Sequence, residues 1–294
     1  MRQWLLCLAL LSPGLSAAPL ALEVRGHPVQ MAVFSLFMQP GEQLRLGVGN
    51  GVSAEAGGVT VTPVQGGLEL VAPQVHGLYP VRLLRGAEEA LLNVWVSISG
   101  ERLEGEYLNG YRIGSYPPPR SQRPNYEPPA GFFEVTADNV DTRLTPHFTL
   151  RQFVCKQASD YPKYVVIQEG LLVMLEGLLA EVRSQGFDIE TFGVISGYRT
   201  PYYNHRIGNV PYSRHVYGDA FDFFIDEDGD GRMDDIDSDG MRNEKDIQRF
   251  FAIVDSFMRR PENKRFLGGI GKYNKTRRHG GFIHVDTRGY QARW

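Results

Sequence analysis

The sequence is poor in cysteine, which limits how the fold can be stabilised. Only two cysteines occur in 294 residues, and Cys7 lies in the N-terminal segment that resembles a leader. Without Cys7 the chain can form no internal disulfide, so we expect its fold to rely on its core and on bound metal. We expect Cys155, in "LRQFVCKQ", to pack as a small hydrophobic side chain rather than to act as a nucleophile.

The sequence also lacks long basic runs and, beyond its leader, long apolar ones. Its formal net charge is −3, and 22% of its residues are charged. Because binding to a phosphate backbone needs clustered Lys and Arg, we expect no nucleic-acid partner. No segment after the leader is long and apolar enough to cross a bilayer, so we expect no membrane span.

The first 18 residues resemble a secretory signal peptide. Arg2 is followed by the apolar stretch 4–11 and by small residues at 16–18. This arrangement is typical of a cleaved signal peptide, and its apolar stretch is too short for a membrane anchor. It predicts an exported protein, periplasmic or extracellular; a buried N-terminal strand is the alternative.

The composition changes twice in the remaining chain. Residues 19–100 hold short β-rich runs such as "VTVTPVQGGLELVAP", which predict a small all-β sandwich of about seven strands. Residues 101–131 are rich in Pro and Tyr and predict a linker, or a strap laid over the next domain. Residues 132–294 alternate helical patterns with short strands at irregular spacing, which favours an α+β fold.

Three polar residues of the last region stand in unusual places. Asp222 lies in the apolar strand "AFDFFI" and His284 in the apolar strand "GFIHVD", where burial is costly without a partner or a metal. His215 precedes Asp222 by a short turn. Two His and one carboxylate leave an open coordination position, as in catalytic zinc sites. A core His beside a core Asp is the alternative.

Four motifs, in this order, carry a family resemblance: "SGYRTPYYNHRIGN", "SRHVYGDAFD", "GGIGKY" and "FIHVDTRGYQARW". They resemble the M15 family of zinc D,D-peptidases, in the branch that cleaves peptidoglycan, over roughly residues 145–294. The resemblance implies a Hedgehog/D,D-peptidase fold and one catalytic Zn²⁺ held by His215, Asp222 and His284. It also implies that Arg199 binds the scissile carbonyl or its oxyanion.

One departure concerns the general base. Several family members carry a Glu three residues before the last zinc His, and others carry a His two before it; here Gly281 and Phe282 stand there. The substitutes that we consider are Asp286, as base or as orienter of His284, and His279 in the loop "RRHGG".

The resemblance predicts an exported zinc metallopeptidase, a D,D-endopeptidase or carboxypeptidase, whose partner is peptidoglycan peptide. The β-domain is expected to contact the wall or a protein partner. Because the usual base is missing, a non-catalytic wall-binding module that keeps the fold is the alternative.

A dense acidic segment, residues 226–246, follows Asp222 closely. Its Asp residues recur at odd positions of two overlapping loops, each with Gly at the sixth position, which is typical of calcium loops. A solvated acidic loop is the alternative. The expected ligands of one or two structural Ca²⁺ ions are Asp226, Asp228, Asp230, Asp234, Asp235, Asp237, Asp239, Asn243 and Asp246.

Overall fold

The computed structural model describes residues 17–120, 123–277 and 279–294. These residues form a mixed α/β architecture with many strands and few helices. Most of the expected signal peptide, residues 1–16, lies outside the described part. None of the described helices combines the length and the apolar character that crossing a bilayer requires.

The N-terminal region is all β, consistent with the sequence prediction, and contains two five-stranded sheets. One sheet has the order β3-β2-β5-β8-β7. In the other sheet, β1 and β4 both pair with one edge of β10, and β9 and then β6 lie on its other side. Both sheets supply buried apolar side chains to a continuous core. The strands are β1 (Ala18–Pro19), β2 (Ala21–Val24), β3 (His27–Gln30), β4 (Val33–Met38), β5 (Gln43–Val48), β6 (Ser53–Ala56), β7 (Thr60–Val64), β8 (Gly67–Val71), β9 (Gly77–Arg85) and β10 (Glu88–Val96).

The predicted number of about seven strands is too low for this region. Several of the strands are only two to four residues long, and not all of them show apolar alternation. In β6, "SAEA", all four residues are exposed, and its strand character comes from pairing with β9. Pairing of this kind depends on distant residues, so a local pattern does not reveal it.

The middle region joins the two halves through short elements. A three-stranded sheet of order β11-β14-β15 pairs residues that follow the N-terminal sheets with residues that precede the first helix. Cys155 is buried next to this region, as expected. The elements are β11 (Ile98–Ser99), β12 (Tyr107–Leu108), β13 (Tyr111–Arg112), β14 (Gly131–Val135), β15 (Lys163–Val165), and 3-10 turns at Gly100–Arg102, Pro124–Tyr126 and Leu150–Phe153.

The C-terminal half is built around a sheet of order β16-β17-β19-β18-β20. Helix α1 buries the apolar stripe that the sequence indicates, and Gly186 follows it with a φ of +99°. The bounds are α1 (Glu169–Ser184), β16 (Gly193–Ser196), α2 (Pro201–Arg206), β17 (Ala220–Phe224), α3 (Glu244–Arg259), β18 (Gly269–Tyr273), β19 (Phe282–Asp286) and β20 (Ala292–Arg293), with 3-10 turns at Arg214–Tyr217 and Pro261–Phe266.

The central strands of this sheet are covered on both faces. Every residue of β17 and of β19 is buried. Aromatic side chains pack on one face, where the rings of Phe192 and Phe223 lie 4.6 Å apart and Phe223 meets Phe250 edge-on at 5.5 Å. A polar side chain on β17 or β19 is therefore held in a rigid, largely dry environment.

One buried carboxylate connects the N-terminal sheets to helix α1. Glu169, at the start of α1, accepts a hydrogen bond of 3.0 Å from the backbone N–H of Phe37 in β4. Its Oε1 also lies 3.4 Å from the guanidinium of Arg25. This contact gives the two halves a fixed polar connection, in addition to their apolar packing.

We expect Glu169→Ala to lower the free energy of unfolding by about 2–3 kcal/mol, because it leaves the buried Phe37 N–H without an acceptor. Glu169→Gln, which keeps an acceptor oxygen, should cost less. Urea unfolding of the full chain measures both. The exposed Glu190→Ala is the control and should stay within about 0.5 kcal/mol of wild type; a similar loss in the control would contradict the prediction.

Candidate metal centre

Strand pairing brings two of the three predicted metal residues together. Strands β17 and β19 are antiparallel, and their register sets Asp222 directly opposite His284. His215 reaches the same point from the 3-10 turn Arg214–Tyr217, just before β17. All three side chains are buried.

The turn that carries His215 requires glycine at its end. Gly218 has a φ of +76°, in the left-handed region that other residues avoid. A Cβ on Gly218 would also lie 2.4 Å from the carbonyl oxygen of Val166. The sequence "HVYGD" therefore folds back tightly enough to face His215 towards Asp222.

The inward-facing atoms of the three residues lie close enough together to share a single ion. His284 Nδ1 is 2.7 Å from Asp222 Oδ1 and 3.2 Å from His215 Nε2. His215 Nε2 is 3.1 Å from Asp222 Oδ1. Ligand atoms of a tetrahedral zinc site lie about 3.3 Å apart, given Zn–N bonds of about 2.0–2.1 Å. Small adjustments would place the three atoms around one Zn²⁺.

The outward-facing atoms are all engaged, and this fixes which atoms face inward. His215 Nδ1 lies 2.7 Å from the carbonyl oxygen of Gly197, which can only accept a hydrogen bond. His284 Nε2 lies 3.0 Å from Asp286 Oδ2. Asp222 Oδ2 accepts a hydrogen bond from Arg199. With Nδ1–H on His215 and Nε2–H on His284, both inward nitrogens present lone pairs.

Three converging electron pairs require a positive charge between them. In the metal-free chain a proton supplies it: burial lowers the pKa of His284, but the hydrogen bonds to Asp222 and Asp286 outweigh burial and raise the pKa to about 9. Burial lowers the pKa of His215 to about 4, which keeps that imidazole neutral. Burial opposes ionisation of Asp222, but the two histidines hold its pKa well below the ordinary value. The donor set therefore fits a divalent cation.

Asp286 lies behind His284, away from the converging atoms. It is fully buried, and its Oδ1 accepts hydrogen bonds from Gly269 N–H at 3.0 Å and from Arg288 Nε at 2.7 Å. Burial raises its pKa, but His284 and Arg288 outweigh burial and hold the pKa well below the ordinary value. With its oxygens occupied, Asp286 is placed to orient His284 and is poorly placed to take a proton from a substrate.

Arg199 lies at the edge of the centre and is mostly buried. Its Nε donates to Ser196 Oγ at 2.8 Å, and a second nitrogen donates to Asp222. We find no hydrogen bond from its Nη1 to any described residue. The guanidinium thus makes an ion pair with Asp222 and also lines the adjoining pocket.

A pocket of about 500 Å³ opens onto the three residues. Its aromatic wall is formed by Tyr273, Phe282 and Trp294; the Trp294 indole N–H donates to Tyr273 Oη at 2.7 Å. His279 lines the same pocket, and its Nδ1 lies 2.7 Å from the carbonyl oxygen of Gly280, which leaves Nε2 as the acceptor. Tyr273 and Trp294 were not among the predicted site residues, because their place beside His284 depends on strand order.

The Pro/Tyr-rich segment contacts the residues on both sides of His215. Tyr116 Oη donates to the carbonyl of Val216 at 2.9 Å. Arg214 donates to the carbonyl of Asn125 at 2.7 Å. The composition of this segment carries no signal for these partners. The contacts hold the turn that carries His215 from its outer side.

The acidic segment forms two groups of carboxylates, and some predicted calcium ligands lie outside them. One group is Asp226, Asp228 and Asp230; the other is Asp235, Asp237 and Asp246. The three remaining residues make other contacts: Asp234 with Arg242 at 3.2 Å, Asp239 with Lys245 at 2.8 Å, and Asn243 as N-cap of α3.

The comparisons with known proteins locate the family match in the C-terminal half. The family model described as Peptidase M15 matches residues 146–242. This part of the chain matches the M15 peptidases. The predicted M15 resemblance is therefore confirmed, and it supports a peptidase. Arg199, His215 and Asp222 lie inside the matched span, whereas His284 lies beyond it.

The other comparisons add little to the M15 match. No curated protein matches the chain. Among solved structures, a chimeric titin Z1Z2 functionalised with a KLER exogenous peptide from decorin is 15% identical, with a TM-score of 0.17. The similarity covers 27% of this chain and 49% of the titin chain, so this chain spans about half the length of that structure.

We expect Asp286→Asn to weaken metal binding by about 10- to 100-fold, because the amide no longer fixes His284 with Nδ1 facing inward. Competition with a chromogenic chelator measures the affinity for Zn²⁺. Asp138→Asn, at an exposed position, is the control. An unchanged affinity in Asp286→Asn would show that this carboxylate does not orient the ligand.

Proposed function

We propose that the protein is an exported zinc metallopeptidase that hydrolyses D-amino-acid peptide bonds of peptidoglycan. The observation that carries the proposal is the convergence of His215 Nε2, Asp222 Oδ1 and His284 Nδ1 at separations of 2.7–3.2 Å. The family match supports the peptidase part, and the four sequence motifs support the peptidoglycan part.

The three residues provide what a catalytic zinc site needs. Two imidazole nitrogens and one carboxylate oxygen leave the fourth position facing the pocket, as in catalytic rather than structural sites. Zn²⁺, when bound, supplies a Lewis acid that activates water and polarises a carbonyl. Asp286 holds His284, Gly197 holds His215, and Arg199 holds Asp222, so the ligands need little rearrangement.

The pocket suggests which residues handle protons and developing charge. Of the described residues that line it, Asp222 is the one carboxylate, and both its oxygens are engaged. His279 is thus the best-placed proton acceptor, because its Nδ1 makes the contact with Gly280 and its Nε2 does not. Arg199 lines the pocket, and its Nη1, which makes no hydrogen bond to a described residue, would stabilise the oxyanion of a substrate carbonyl.

Two variants separate metal binding from proton transfer. His215→Ala should lose both zinc and activity. His279→Ala should keep one zinc per chain and lose activity by about 10²- to 10⁴-fold, the usual contribution of a general base. Elemental analysis gives the metal content, and mass spectrometry of purified muropeptides gives the products. Full metal content and full activity in His215→Ala would refute the site.

The non-catalytic module remains the second candidate, because the pocket has no free carboxylate among its described residues. A protein that keeps zinc, binds wall fragments and releases no product would be this module. In that case His279→Ala would bind wall fragments as well as wild type does.

We also propose that at least one Ca²⁺ orders the acidic segment. In each loop the first Asp accepts a hydrogen bond from the Gly at the sixth position: Gly231 N–H to Asp226 at 3.1 Å, and Gly240 N–H to Asp235 at 2.6 Å. A glycine at the sixth position, where the chain turns sharply, is typical of calcium loops. Asp226 Oδ1 is shielded from solvent and has no hydrogen-bond partner, and a bound cation would coordinate this oxygen.

Calcium should raise the melting temperature of the full chain after treatment with EDTA. For the sub-millimolar affinity of extracellular calcium modules, about 10 mM Ca²⁺ corresponds to roughly 1.4–2.7 kcal/mol of stabilisation. That is a rise of roughly 3–10 °C. Mg²⁺ at the same concentration is the control. Asp226→Asn should reduce the calcium effect, and an equal response to both ions would contradict the proposal.

The proposal requires the chain to reach the cell wall, and residues 1–18 are the expected export signal. The N-terminal β region would then position the peptidase on the wall or on a protein partner. Its fixed connection to α1 through Glu169 supports a positioning role, because the two halves would move as one unit.

A further inference from the structure

A second cavity of about 690 Å³ adjoins the pocket of the metal centre. His279 lines both spaces. The cavity is bounded by the acidic segment, the start of helix α3, and residues 274–277 and 279–281 between β18 and β19. A ligand that extends from the metal centre past His279 would therefore enter this cavity.

The floor of this cavity is apolar. Met233 and Ile247 line it and are buried. The backbone of Gly281 lies against them so closely that a Cβ would be 2.6 Å from Ile247 Cδ1. The position where several M15 peptidases carry a Glu is thus occupied here by a glycine that packs on the apolar floor.

The rim of the cavity is cationic. Arg232, Lys275 and Arg277 are exposed and line it, and within the described chain we find no ion pair for any of them. The acid in the lining, Glu244, accepts a hydrogen bond from Asn274 at 2.7 Å. Three cations without ion-pair partners around an apolar floor favour a ligand with both a carboxylate and an aliphatic part.

We infer that this cavity binds a carboxylate-bearing segment of the peptide substrate, on the side of the scissile bond beyond His279. The inference rests on the proposed function, because the peptide reaches the cavity through the metal centre. A phosphate polymer fits less well, since it offers nothing to the Met233–Ile247 floor. The cavity would select substrates that carry free acidic side groups next to the bond that is cut.

Binding of two matched peptides to the full chain tests the inference. Both are fluorescent cross-linked peptides with an N-methylated scissile bond, which blocks cleavage; one has free side-chain carboxylates and the other has carboxamides. We expect the acid form to bind roughly three- to tenfold more tightly, the range for two or three exposed ion pairs. The preference should shrink as salt is raised.

Two double variants locate the preference. Lys275→Gln/Arg277→Gln should lose most of the preference, whereas Lys264→Gln/Arg249→Gln, which removes two exposed cations elsewhere, should keep it. Equal binding of the two peptides by wild type would overturn the inference. So would a preference that is undiminished in the first variant or disappears in the control.

The unmodified peptides, assayed for cleavage in parallel, separate this inference from the proposed function. A wild-type protein that prefers the acid peptide but cuts neither would refute the peptidase and support the cavity. A protein that cuts both with equal efficiency, and binds both equally, would support the peptidase and refute the cavity.

Discussion

The structure depends on one electrostatic constraint, the meeting of three electron pairs from His215, Asp222 and His284 in a buried space. Each residue is fixed by a contact on its outer side, so none can turn its inward atom away. The contacts are a backbone carbonyl on His215, a guanidinium on Asp222 and a carboxylate on His284. Without a proton or a cation at the centre, this arrangement would be repulsive.

The charges around the centre balance in pairs. Arg199 pairs with Asp222, and Arg288 pairs with Asp286. The two histidines add no charge when they act as ligands. A divalent ion would therefore keep most of its positive charge, which favours polarisation of a carbonyl more than it favours tight binding. The buried strands β17 and β19 compensate by holding the ligand atoms close together, so that binding requires little ordering of side chains.

The sequence predicted the residues of the centre but not their supports. Asp222 and His284 could be predicted as site residues because polar residues inside apolar strands need a partner. The sequence carries no signal for the roles of Gly197, Tyr273 and Trp294. Any residue type has a backbone carbonyl, and strand order places the two aromatic residues beside the centre. Spacing set Asp286 on the same strand face as His284, but its orienting geometry also depends on Gly269, which only strand pairing brings to it. The extra N-terminal strands were missed for the same reason.

The acidic segment shows where spacing stops being informative. Its Asp positions predicted two carboxylate groups, yet the pattern did not indicate that Arg242 would bind Asp228 and Asp230 at 2.7 and 2.6 Å. That guanidinium already relieves part of the repulsion that a Ca²⁺ ion would relieve, so a cation must compete with it or share the carboxylates. Competition of this kind would weaken the proposed calcium binding towards the range of extracellular modules. Arg242 also lines the cationic cavity, so one side chain borders both the carboxylates and the cavity.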